Sequence, residues 1–368
     1  MGWQIPIANL SAEYEAVGPA VEAAVLRVLR SNEYVLGGET PRFEAEMAEL
    51  VGTDFAIGVG SGTEALALAL RALGVGAGDE VVTTPFTFFA TVDAILWVGA
   101  RPVFGDIEAD GFNLDAASLD AVITPRTRAL LPVHLFGHCA NLEAIRAVAD
   151  AHDLPIVEDA AQAIGASRGG RPAGSFGDVG CFSFYPSKNL GAVGDAGCVT
   201  TNDAELAETL RALRIHGRDG AGVYARVGTT SRLDSVQAAA LSAKLPWLKD
   251  WTTLRTRNAA LFDAALTDCA RVVLPGTARD SEPVWSQYTL RTPDPEAVRD
   301  ALRDHGIEAR RYYPVPAYRE PALGDAMLCE GARPNAERAC AEALSVPVHW
   351  SCSPDDIRYV AEVVHAAV

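Results

Sequence analysis

From Gly52 onward, short apolar stretches alternate with longer stretches of helical character: FAIGVG, then residues 63–73, EVVTTP, 88–98 and RPVFGDI. Strands joined through helices lie parallel to one another, so this rhythm specifies a parallel sheet covered by helices. It continues through RALLPVH, a helix at 141–151 and PIVEDAA, and VGCFSF and GCVTT add strands before a helix at 203–213. Ahead of the sheet, Ser11 is placed to cap a helix whose apolar face is Val17, Val21, Val25, Val28 and Leu29. Residues 1–245 thus read as one large α/β domain with a mostly parallel sheet flanked by helices. A long helix at 244–266 leads into EPVWSQYTLRT, IEARRYYPV and a last helix at 354–367, which predict a smaller C-terminal α+β domain over 246–368. No internal repeat or low-complexity segment interrupts this plan.

Composition narrows the partners. The chain has 368 residues, 49% of them hydrophobic, and 31 Lys plus Arg against 48 Asp plus Glu give a formal charge of -17. That charge repels a polyphosphate backbone and excludes a nucleic-acid binder. One cationic cluster stands out between 211 and 232, where Arg211, Arg214, Arg218, Arg226 and Arg232 face the single acid Asp219. It reads either as a solvated helix end or as an anion site. Seven cysteines (Cys139, Cys181, Cys198, Cys269, Cys329, Cys340, Cys352) are odd in number and scattered, with no C-x-x-C pair, so reduced thiols and no metal site are expected. MGWQIPIANLSAEYE lacks a basic start followed by an apolar run, and Pro6 occupies the position where a myristoylation motif needs Ser or Thr. Apolar runs stop well short of the ~20 residues of a membrane span. The expectation is a soluble cytoplasmic protein.

Three stretches carry chemistry. In SGTEAL, a strand ends at Gly60 to Thr63 and a helix begins at once, which either makes a phosphate cradle or is a plain strand-to-helix turn. In VEDAAQA, an apolar strand ends at Glu158 and Asp159, with Gln162 following. A carboxylate beyond a parallel strand can pair with a protonated ring nitrogen, or it can cap the next helix. In CFSFYPSKNLGAVGDAG, a strand delivers Ser183 and a loop then presents Lys188, with no other cation from Gly180 to Gly197. Aromatic and small surroundings disfavour an ammonium group and lower an amine's pKa toward the range where it attacks carbonyls. Phosphate cradle, pyridinium acid and Schiff-base lysine are together the anchors of pyridoxal 5'-phosphate.

With YVLG, GDEVVTTPFTFFAT, ITPRTRALLPVHLFG, SRLDSVQAA and YYPVP added in order, the chain resembles the DegT/StrS-type sugar aminotransferases of the aspartate-aminotransferase-like fold, fold type I. The resemblance implies that Lys188 carries the cofactor and moves the substrate proton. By the same likeness Asp159 meets the pyridine nitrogen and Gln162 lies near the phenolic oxygen. Phe88 would stack on the ring, while Gly62, Thr63 and Ser183 would hold the phosphate. It further implies a homodimer with shared active sites, in which a G-x-N-S-R loop of one subunit reaches the other's phosphate. Here that loop reads Gly228 to Arg232, with Thr230 in place of the asparagine. Glu64, Ser235 and Tyr312 are further departures. Tyr312 and Tyr313 would border the substrate, and Arg218 and Arg226, with Arg310 and Arg311, would offset a substrate diphosphate. The implied reaction moves an amino group from L-glutamate, through pyridoxamine 5'-phosphate, to a nucleotide-linked, dTDP-type 3- or 4-keto-deoxysugar. Tyr313 to Pro316 resembles the C-3 aminating members more. A keto-cyclitol substrate and a non-catalytic, cofactor-binding regulator are the alternatives. Sugar dehydratases of the same fold carry histidine where Lys188 stands.

Overall fold

The computed structural model describes residues 2–326 and 331–368. Cys329 lies outside the described residues, and the other six cysteines are buried free thiols. Helix α1 (Leu10–Ser31) is capped by Asn9, whose side chain accepts the Ala12 N–H, so the expected cap at Ser11 falls inside the first turn. Both residue types cap well, and Asn9 is the one placed ahead of the first helical residue. Helix α2 (Glu39–Val51) ends at Gly52, which takes the left-handed φ of 73° that a residue with a Cβ resists.

Strands β1 (Phe55–Val59), β2 (Glu80–Thr83), β3 (Arg101–Phe104), β4 (Thr127–Leu131) and β5 (Val157–Asp159) follow. After the small ribbon of β6 (Ser167–Arg168) and β7 (Arg171–Pro172) come β8 (Val179–Ser183) and β9 (Gly197–Thr201). One sheet runs β1-β9-β8-β5 and another β3-β2-β4, and parallel bridges Leu130 to Ile156 and Val133 to Asp159 join them. Among the described strands of these two sheets, only β9 runs antiparallel to its neighbours, β1 and β8. All residues of β2 and β9 are buried, as in a sheet covered on both faces.

Helix α3 (Gly62–Ala72) lies against β8 and β9 with α4 (Ala90–Trp97) beside it. Its sequence ALALAL alternates like a strand, yet Ala and Leu are the strongest helix formers. All six residues are buried because the helix is enclosed on every side, which makes it a rigid mount for its N-terminus. Helices α5 (Leu142–Ala151) and α6 (Ala204–Leu213) start at Asn141 and Asp203, whose side chains accept first-turn N–H groups.

The helix expected over 244–266 is present from Leu248 onward, and its first four residues belong to the end of a preceding helix and a turn. α7 (Ser235–Lys244) stops at a 3-10 turn, Leu245–Trp247, and α8 (Leu248–Leu266) begins anew. Pro246 lacks an N–H and breaks the ladder there. We propose that the division between the two domains falls at this turn.

Beyond it lie β10 (Ser281–Glu282), β11 (Tyr288–Arg291), α9 (Pro295–Asp304), α10 (Pro334–Glu342), β12 (Ala343–Val346) and α11 (Pro354–Ala367). β11 and β12 pair antiparallel, and Phe262, Tyr288, Leu290, Leu302, Val346 and Val360 build a second core. Ile5 joins that core, while α10 sends Ala336, Ala339 and Cys340 into the core that Ile57, Leu66, Val81, Leu131 and Val157 build around α3 and the larger sheets. In IEARRYYPV, Ile307 and Arg310 make only isolated bridges. Among the described residues, no helix is long and apolar enough to cross a membrane.

Candidate active site

A cavity of 340 Å³ opens at the carboxyl end of the sheet, where ligands of open α/β sheets lie. Gly62, Thr63, Phe88, Asp159, Gln162, Ser183, Lys188, Tyr312 and Tyr313 all line it.

Close packing of α3 onto β8 sets its first wall. A Cβ on Gly62 would lie 2.5 Å from the Cβ of Ser183, so only glycine lets the helix start against the strand end. Ser61 caps α3 by accepting the Glu64 N–H at 3.2 Å. The Gly62 and Thr63 N–H groups precede the first intrahelical bond and have no acceptor among the described residues, so they carry the positive end of the helix. With the Ser183 hydroxyl on the same wall, the donors present have the chemistry that a phosphate requires.

Strand alternation sorts the two acids at the end of β5. Glu158 turns inward, accepting the His134 Nε2–H at 2.8 Å and the N–H groups of Gly174, Phe176 and Gly177 at 2.8, 2.7 and 2.6 Å. His134 Nδ1 accepts the Ala140 N–H, which fixes its proton on Nε2. Asp159 turns to the cavity. Its Oδ2 accepts the Thr91 hydroxyl at 2.8 Å and its Oδ1 the Ala161 N–H at 3.1 Å, with Thr87 and Thr91 joined at 2.9 Å. The capping alternative is overturned, because residues 160–166 form turns and no helix. Burial raises the Asp159 pKa, opposed by the Thr91 and Ala161 hydrogen bonds and by the charge of Lys188. A cationic N–H donor in the cavity would favour its charged form.

Lys188 stands in the loop between β8 and β9, its backbone N–H donating to Tyr185 at 2.8 Å. Burial lowers its pKa to about 8, against the pull of Asp159. Gln162 is held by the Phe136 N–H, which donates to its Oε1 at 2.7 Å, and its Nε2 donates to the Tyr313 hydroxyl at 3.4 Å. Phe88 leaves 59% of its surface open and its ring centre lies 6.2 Å from that of Tyr313. A flat ring could be sandwiched against it.

The cationic cluster is not one anion site. Arg214 is buried and bound to Glu44 and the Gly58 carbonyl, while Arg211 pairs with Glu208. Arg310 pairs with Glu308, and Arg311 with Glu296 and the Cys340 carbonyl. Arg218, Arg226 and Thr230 do not line this cavity. The Arg226 Nη1 donates to Thr209 at 2.8 Å, and Thr230 Oγ1 meets His216 Nε2 at 2.8 Å in an exposed loop. Thr91, Asp195 and Gln287 line the cavity without having been read from the sequence. Thr91 had a signal, lying one helical turn after Phe88 in PFTFFAT.

Helix N-terminus, buried acid and low-pKa lysine on one cavity fit pyridoxal phosphate, and with this fold they define a fold type I aminotransferase. The profile of the DegT/DnrJ/EryC1/StrS aminotransferase family matches residues 17–365, and the chain belongs to that family. It is 45% identical over 345 residues to dTDP-3-amino-3,4,6-trideoxy-alpha-D-glucose transaminase of Streptomyces venezuelae, covering 94% of this chain and 91% of the relative. It is 41% identical over 362 residues to a protein of Geobacillus stearothermophilus named pleiotropic regulatory protein, covering 98% and 97%. The crystal structure of S. venezuelae DesV in complex with a ketimine intermediate superposes with a TM-score of 0.96 at 43% identity, covering 100% of this chain and 98% of that one.

Proposed function

We propose that this aminotransferase moves an amino group from L-glutamate to the keto carbon, at C-3, of a dTDP-linked deoxysugar. The observation that carries this reading is the convergence of Lys188, Asp159 and the α3 N-terminus on one cavity. The nucleotide and ring position rest on the 3-amino sugar in the name of the Streptomyces venezuelae relative. When bound, pyridoxal phosphate supplies a ring that accepts the electron pair left as a substrate carbon loses its proton. Gly62, Thr63 and Ser183 hold the phosphate, Asp159 the ring nitrogen and Gln162 the phenolic oxygen, and Phe88 covers the ring. Lys188 holds the cofactor and, once released from it, carries the proton between carbons. Tyr312 and Tyr313 border the sugar. The test is sequential: L-glutamate should bleach the visible band of the loaded protein with stoichiometric 2-oxoglutarate, and a dTDP-linked 3-keto sugar should restore the band. Bleaching without restoration would sink the substrate assignment, and no bleaching would sink the donor.

Arg218, Arg226 and Thr230 we assign to the cavity of a second copy in a homodimer. Their loop carries Val223, Tyr224 and Val227 at 58%, 69% and 81% exposure, apolar surface in need of a cover. In the dimer the two arginines offset the substrate's diphosphate and Thr230 reaches the phosphate of the cofactor. The double substitution Tyr224→Glu and Val227→Glu is expected to give monomers in sedimentation velocity and at least a tenfold loss of turnover. Monomers with full turnover would refute shared sites.

A further inference from the structure

Among the described residues that line the cavity, one buried polar side-chain atom has neither a hydrogen-bond partner nor a role above. Gln287 lines it from the segment leading into β11, and its side-chain Oε1 is buried with no hydrogen-bond partner. Its neighbours are engaged: Asp159 accepts from Thr91 and Ala161, Gln162 bonds Phe136 and Tyr313, and Ser183 accepts the Tyr185 N–H. A buried acceptor without a donor has lost its water for nothing unless a ligand supplies one.

The cofactor does not supply it. Its phosphate needs donors, its ring nitrogen has Asp159, and its phenolic oxygen is an acceptor beside Gln162. Gln287 follows the Leu245–Trp247 turn, as do Tyr312 and Tyr313, whereas the residues assigned to the cofactor all precede it. A sugar ring brings hydroxyl donors to that side of the cavity. We infer that Gln287 is a specificity-determining residue that accepts a hydrogen bond from a ring hydroxyl of the sugar substrate. The inference rests on the keto-sugar reading, since L-glutamate has no hydroxyl to offer.

Removing this one acceptor weakens binding of the hydroxyl-bearing substrate and spares the steps that do not involve it. The probe is dTDP-3-amino-3,4,6-trideoxy-α-D-glucose as amino donor to 2-oxoglutarate, run beside the L-glutamate half-reaction. Gln287→Leu and Gln287→Met should raise the KM for the amino sugar about tenfold, with kcat within about threefold. The rate of bleaching by L-glutamate and the visible band should be those of the unsubstituted protein. Gln287→Glu, which keeps an acceptor at the same place, should restore part of the KM. Unchanged KM in both apolar variants, an equal loss in the L-glutamate half-reaction, or loss of the cofactor band in both would overturn the assignment. An unsubstituted protein with no turnover of the amino sugar overturns the substrate reading and this inference with it. Turnover by that protein with unchanged variants overturns the Gln287 assignment alone.

Discussion

Lys188→Ala is expected to abolish transamination, lowering turnover by about 10⁴-fold or more, because one amine serves both as attachment point and as proton carrier. The substitution removes a side chain at the cavity wall, so the melting temperature should stay close to that of the unsubstituted protein. Pyridoxal phosphate should still bind through the α3 N-terminus and Asp159, but without its lysine-dependent visible band. A small primary amine added to the buffer should return a measurable fraction of the rate, since it replaces the missing base. Activity within tenfold of normal would remove Lys188 from the chemistry. The intact lysine carries its own pH test. With a pKa near 8 in place of 10.5, its neutral fraction at pH 7 is roughly 300-fold larger than that of an ordinary lysine. The neutral form attacks the cofactor's carbonyl, so the rate at which the cofactor-free protein takes up pyridoxal phosphate should rise about tenfold per pH unit below pH 8 and level off above it. A rate still climbing at pH 10 would mean that burial does not depress this amine.

What the sequence displays is what local chemistry decides. The β-α-β rhythm is legible because strands covered on both faces must be apolar throughout, and Gly52, Asn141 and Asp203 punctuate it with their usual cap chemistry. The direction of a strand is not written in its apolar run, so nothing in GCVTT sets antiparallel β9 apart from its parallel neighbours. Pro246 announces the break between α7 and α8, but the polar and aromatic pattern on either side is helical and hides it. In the site, Gly62, Asp159 and Lys188 are visible because each ends or follows an apolar strand. Gln287 has no such marker, since only the approach of the C-terminal segment to Phe136 brings it to the cavity. The arginine cluster misleads for the same reason: sequence proximity shows Arg214 among cations and conceals Glu44, which α2 brings to it.

Asp159→Asn separates holding the cofactor from activating it. The amide has nearly the shape of the carboxylate and keeps an oxygen for the Thr91 hydroxyl, though the Ala161 N–H loses its acceptor. The protein should therefore fold with a modest loss of stability and bind pyridoxal phosphate with its visible band intact. The amide cannot carry the negative charge that keeps a ring nitrogen protonated, and an unprotonated ring is a poorer electron sink. Removal of one such preorganised charge costs about 10²–10³ in kcat, and the same drop should appear in both half-reactions because both move a proton at carbon. Asp159→Ala should combine that drop with a loss of stability of about 1–3 kcal/mol, since it strands the buried Thr91 hydroxyl and Ala161 N–H without an acceptor. Thr91→Val removes one donor from the carboxylate and leaves its charge, so its effect on kcat should be far smaller. If Asp159→Asn turns over like the unsubstituted protein while Asp159→Ala is only destabilised, the carboxylate merely ties the start of α4 to the end of β5, and charge on the ring nitrogen has no part in the rate.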